Sequence, residues 1–85
     1  MPNKYNKAYI AKIAENFYNV RTKVFKMTQE RFAQLLGFNT RIQISHYETG
    51  RFRPSAQTCN KIITEAAKLG AVVTLEYLRP DFFNK

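Results

Sequence analysis

The chain has one cysteine, Cys59, and one histidine, His46. A single thiol closes no internal disulfide, and one thiol with one imidazole makes no metal site. Acidic side chains are scarce, six against fourteen Lys and Arg. The N-terminal stretch carries Lys4, Lys7 and Lys12 but no long apolar run, so it reads as neither a signal peptide nor a membrane span, and the expected compartment is the cytoplasm. Paired carboxylates in a plausible cleft, a Ser/His/Asp set, a phosphate-cradling glycine loop and metal-ligand spacing are all missing. Those absences argue against an enzyme, a bound cofactor or a small-molecule substrate.

Positive charge is what the chain has in excess. Its net charge of +8 and pI near 9.9 point to a polyanionic partner. The charge is also concentrated: Arg21, Lys23, Lys26, Arg31, Arg41, Arg51 and Arg53 fall in one stretch that holds only Glu30 and Glu48 in opposition. At 85 residues there is room for one small domain, and a hydrophobic content of 45% suits a globular core. A domain of this size buries roughly 60–65% of the surface its unfolded chain exposes, so association with a second copy would help it.

Residues 1–6 read as a polar tail. From Lys7 to Phe25, Ile10, Ile13, Ala14, Phe17, Val20 and Val24 recur at steps of three and four, which predicts one amphipathic helix. Its apolar stripe reads as core, because the helices that follow need a surface to pack on; Lys7, Lys12, Arg21 and Lys23 lie on the polar side. Lys26 and Met27 form a short connection. Thr28 can cap a second helix over Gln29–Leu36, in which Phe32, Ala33, Leu35 and Leu36 keep helical spacing and Gly37 supplies the stop. Ile44 and Tyr47 then share a face of a third short helix, and Ala33 is small enough for the crossing between the two. Two short helices joined by a glycine turn are the pattern of a helix-turn-helix, whose second helix enters the major groove of DNA.

Beyond the turn-rich Glu48–Pro54 stretch, Ser55 can cap a fourth helix carrying Cys59, Ile62, Ile63, Ala66 and Leu69 and stopped by Gly70; Cys59 reads as a small core residue. The run Ala71–Leu78 is β-prone and predicts an extended segment, and the closing DFFNK has two aromatics to bury. The expected fold is therefore all-α: a compact bundle of four to five helices with a helix-turn-helix, plus a short C-terminal extended segment. The expected units are the tail at 1–6, a DNA-binding domain at 7–70 and a C-terminal segment at 71–85 that is a candidate dimerisation strand.

Thr28, Gln29, Ala33, Gly37, Ile44, Ser45, Tyr47, Glu48, Gly50, Pro54 and Ser55 together resemble the Cro/repressor type of helix-turn-helix, over about residues 8–70. The ending LEYLRPDFF is similar to the C-terminus of small phage Cro-like proteins of the YdaS kind. Two departures from the family pattern stand out. The turn between Gly37 and Ile44 is one residue longer, which shifts the start of the reading helix. The family also often carries an arginine seven residues before the Gln29 position, paired with the glutamate of the Tyr-Glu step; here Thr22 stands there, with Arg21 beside it.

The resemblance implies double-stranded DNA as the partner, with a palindromic operator read by a homodimer. On that reading Arg41, Gln43, His46 and Thr40 are candidates for base edges, Arg pairing with guanine and Gln with adenine. Gln29 and Thr28 at the start of the second helix, with Arg51, Arg53 and Lys26, are candidates for phosphates. Thr40 has a second reading as a cap, and Ile42 either meets a thymine methyl or turns inward. Tyr47 reads as core and Glu48 as structural, capping or ion-paired. The function expected is a sequence-specific transcriptional regulator, a Cro-like repressor. The alternative is an antitoxin that binds its own operator and neutralises a toxin, and a third class is an architectural protein that bends DNA.

Overall fold

The helical start of the chain does not keep one pitch. In a computed structural model that describes residues 7–83, Lys7–Asn19 forms α1, with Ile13, Ala14, Asn16 and Phe17 buried. The backbone then widens into a π-helix over Val20–Phe25, closed by the Lys26 N–H donating to the Arg21 carbonyl five residues back. This corrects the expectation of a single α-helix to Phe25. The apolar stripe explains the change. Val20 and Phe25 are both buried while Val24 is only partly so, and a step of five places both in the core where a step of four would choose Val24. The turn ends at Lys26, the only non-glycine residue with positive φ (55°) among those described. The polar tail expected at residues 1–6 lies outside the described residues.

The local signals for the next helices hold. α2 spans Gln29–Leu36, with the Thr28 side chain accepting from the Arg31 N–H and Gly37 (φ 85°) at its end. α3 spans Ile42–Thr49 and buries Ile44 and Tyr47. α4 spans Ala56–Lys68, capped by Ser55 through the Thr58 N–H, with Cys59, Ile62 and Ala66 buried. Burial pushes the Cys59 thiol up to about 11, so it stays protonated and inert at neutral pH. The core centres on aromatic rings. Phe17 meets Phe32 edge-on at 5.7 Å and Tyr47 at 5.1 Å, and Phe32 also meets Phe25 at 4.9 Å. Ala33 is fully buried in α2, which packs against α3.

The C-terminal segment departs from expectation in two ways. Residues 71–74 have no regular structure, and Leu75–Leu78, instead of continuing as a strand, forms a one-turn helix, α5. Thr74 caps it by accepting from the Tyr77 N–H, and Leu78 enters the core. Burial of Leu78 at helical pitch thus outweighs the β preference of the Val-Val-Thr run. The closing aromatics are not buried either. Phe82 and Phe83 are exposed, whereas Asp81, in a 3₁₀ turn over Pro80–Phe82, is buried against Arg79. Arg79 donates to both Asp81 oxygens (2.9 and 2.7 Å) and to the Pro54 carbonyl (2.6 Å), and stands 4.0 Å over the Phe82 ring. The Asn16 side-chain amide donates to the Tyr77 carbonyl at 2.7 Å. These polar ties fasten the tail across α1 and the start of α4. Among the described residues, no helix is long and apolar enough to cross a membrane.

Two of the turn glycines differ in a testable way. Gly37 and Gly50 both have positive φ (85° and 83°), but a Cβ on Gly37 meets open space, while one on Gly50 comes within 2.9 Å of Ile10 Cγ2. Gly37→Ala should cost only the left-handed backbone penalty, about 1–2 kcal/mol. Gly50→Ala should cost that plus overpacking of about 1 kcal/mol or more. Urea denaturation checks the order; equal losses would mean that α1 does not pack against the end of α3 as described.

Candidate nucleic-acid interface

The interface is built around a buried ion pair. Arg21 Nε donates to Glu48 Oε2 at 2.6 Å and Nη2 to Oε1 at 3.1 Å, with the two side chains only 11% and 7% exposed. Arg21 Nη1 also donates to the Met27 carbonyl at 2.8 Å. Arg21 therefore makes the pair that the family pattern gives to an arginine one position later. The extra residue between Arg21 and Gln29 falls in a stretch that includes the π-helix, whose turn is one residue wider than an α-turn. Glu48 is ion-paired, one of the structural roles its sequence position suggested.

Gln29 extends the network. Its Nε2 donates to Glu48 Oε1 at 3.0 Å, and its Oε1 accepts from Arg41 Nη1 at 3.3 Å. A continuous polar chain thus runs from Met27 through Arg21, Glu48 and Gln29 to Arg41, tying the end of the π-helix, α3, the start of α2 and the turn together. Half-buried Gln29 spends one amide donor and its oxygen on this chain and keeps a second N–H. Thr28, exposed at the N-cap, accepts from a backbone N–H and keeps its hydroxyl proton for donation. Arg21, Thr28, Gln29, Glu30, Arg31 and Arg41 line one open groove.

The faces of α3 follow from its two buried residues. Ile44 and Tyr47 point inward, so at 100° per residue the opposite ridge carries Ile42, Ser45 and Thr49, with His46 beside it. Ile42 is 56% exposed and Thr49 is exposed, while Ser45 and His46 are half-buried, as is Gln43 on the flank. The Thr40 hydroxyl oxygen accepts from the Ile42 N–H at 3.3 Å, so Thr40 closes the turn into α3. Arg41 is exposed at the N-cap of that helix. The His46 ring stands edge-on to Phe52 at 5.1 Å, with Nδ1 buried and without a hydrogen-bond partner among the described residues. Past α3, Arg51 is exposed and stands 5.7 Å from the Phe52 ring, and Arg53 is half-buried. Lys26 is exposed.

Of the sequence candidates, Thr28, Gln29 and Arg41 are brought together at one end of the helix pair. His46 and Arg51 lie at the other end, joined through Phe52. Ser45 and Thr49 were missed as members of the outward ridge. The signal was present in the sequence: once Ile44 and Tyr47 are read as inward, helical pitch places Ile42, Ser45 and Thr49 outward.

Residues 25–65 match the family model described as helix-turn-helix, a span that runs from the end of the π-helix into α4. The comparisons with curated proteins and with solved structures returned no match. With the geometry above, the match identifies residues 25–65 as a helix-turn-helix of the Cro/repressor type and supports a DNA-binding transcription regulator of that type.

Removing one partner of a buried pair leaves the other charge stranded, a loss of about 3–5 kcal/mol, whereas replacing both with apolar groups of similar volume is often near neutral. Glu48→Ala should therefore lower urea-denaturation stability by about 3 kcal/mol or more, and Arg21→Met with Glu48→Leu should recover most of it. Additive losses in the double variant would show that the two charges do not act as a pair.

Proposed function

We propose that this protein is a Cro-like repressor that lays α3 in the major groove of a palindromic operator and works in the cytoplasm as a homodimer. The observation that carries the reading is the exposed ridge of α3, flanked by Arg41 at its N-cap and Arg51 beyond its end. Arg41, Gln43, His46 and Thr40 then face base edges; Arg41, exposed at the N-cap, suits bidentate pairing with guanine. Gln29, Thr28, Arg51, Arg53 and Lys26 hold phosphates and set the docking angle.

One reading helix spans few base pairs, so two copies must present their α3 helices about 34 Å apart. With Leu75–Leu78 helical, the strand expected over Ala71–Leu78 gives this reading no support. The dimer reading rests instead on the cleft that Val20, Val24, Val72, Val73 and Tyr77 line together with Asn19 and Lys23, where Val72 is 91% exposed. An antitoxin would give this cleft to a second protein, so a dimeric pure protein favours the repressor.

Selection from a random duplex pool, followed by binding titrations, tests the assignment. Arg41→Ala should weaken the selected site by about 1–3 kcal/mol and relax the preference at one position. Arg51→Ala should weaken all duplexes alike and reduce the salt slope by about one. An Arg41→Ala loss equal on every sequence would remove Arg41 from base reading.

A further inference from the structure

Ile42 opens α3 as a large apolar side chain, 56% exposed, between Arg41 and Gln43 and on the same ridge as Ser45, His46 and Thr49. It cannot turn inward, because Ile44 and Tyr47 hold the core-facing positions of this short helix. Its β-branched side chain is restricted to essentially one χ1 rotamer in a helix, so it is held outward with little entropy left to lose. We infer that Ile42 is a specificity residue that reads the C5-methyl group of thymine in the major groove. The inference rests on the reading of α3 as the groove-entering helix and adds to it a base and an atom.

The chemistry favours one occupant. Of the four bases, thymine alone presents an apolar group on the major-groove edge; guanine offers N7 and O6, adenine N7 and N6, and cytosine N4. An isoleucine pressed on a polar edge strips its water without returning a hydrogen bond, a penalty that disfavours cytosine or adenine there. The same side chain buries the thymine methyl and gains. Position supports the assignment as well. The turn that is one residue longer than the family pattern makes Arg41 the N-cap and Ile42 the first helical residue, and Arg41 is tethered through Gln29 to the Arg21–Glu48 pair. Ile42 therefore emerges beside a guanidinium in a set place and reads the step next to the one Arg41 reads.

Deoxyuridine provides the probe, since it differs from thymidine only by the missing methyl. In duplexes of the selected sequence, each thymidine is replaced in turn by deoxyuridine, and binding of the parent and of Ile42→Ala is measured by anisotropy. The parent should lose about fourfold in affinity at one thymine per half-site, the value of one buried methyl. In Ile42→Ala the thymidine-to-deoxyuridine ratio at that position should fall to about one. The ratio is taken within each protein, so a change in folded fraction does not affect it. If no replacement weakens the parent, or if Ile42→Ala keeps the full penalty, Ile42 does not read a methyl, while base reading by α3 stands. A pool that yields no preferred sequence overturns the base-reading function itself, and this inference with it.

Discussion

The Arg21–Glu48 pair is the interaction on which the placement of α3 depends. Burying two charges costs several kcal/mol per ion before any attraction is counted, so such a pair adds little to net stability compared with a packed apolar contact. What it supplies is geometry. A bidentate guanidinium–carboxylate contact fixes both distance and plane, and here it joins the start of the π-helix to the end of α3. Gln29 then hangs on Glu48, and Arg41 on Gln29. The N-termini of α2 and α3, where a phosphate and a base edge would be met, are thus set by one buried contact.

The backbone accommodates that contact at two places. The π-helix over Val20–Phe25 turns Arg21 toward Glu48 despite the additional residue ahead of α2, while keeping Val20 and Phe25 in the core. The longer turn after Gly37 delays α3 until Ile42 and leaves Arg41 as a cap. Both adjustments absorb one residue, and neither disturbs the aromatic cluster of Phe17, Phe32 and Tyr47. Rigid packing at the centre with insertions taken up at element ends is what a close-packed core allows.

Much of this was legible in the chain because the signals were local. Thr28 and Ser55 as caps, Gly37 as a stop, and Ala33, Tyr47 and Cys59 as buried residues all follow from spacing and side-chain chemistry, and the structure agrees. What was not legible depends on partners far along the sequence. Only the family pattern, one position out of step, pointed from Arg21 to a mate 27 residues away, and a stripe that reads Val20, Val24 at α pitch hides the step to Phe25. Asp81 is buried and the neighbouring Phe82 and Phe83 are not, because Arg79 reaches the Pro54 carbonyl. Likewise, Leu75–Leu78 becomes helical only because Leu78 has a core to enter. At the interface, residue type drew attention to Arg41 and Gln43, while the outward ridge of Ile42, Ser45 and Thr49 needed the inward face to be settled first.

The account stands on α3 and the N-terminus of α2 forming one DNA-facing surface. Amide chemical-shift mapping by NMR during titration with the selected duplex tests that surface most directly. The largest changes should fall at Thr28–Arg31, from Phe38 to His46, and at Arg51–Arg53, with α4 from Ile62 onward and α5 little affected. Changes concentrated at Val72–Leu78, with α3 unmoved, would contradict it.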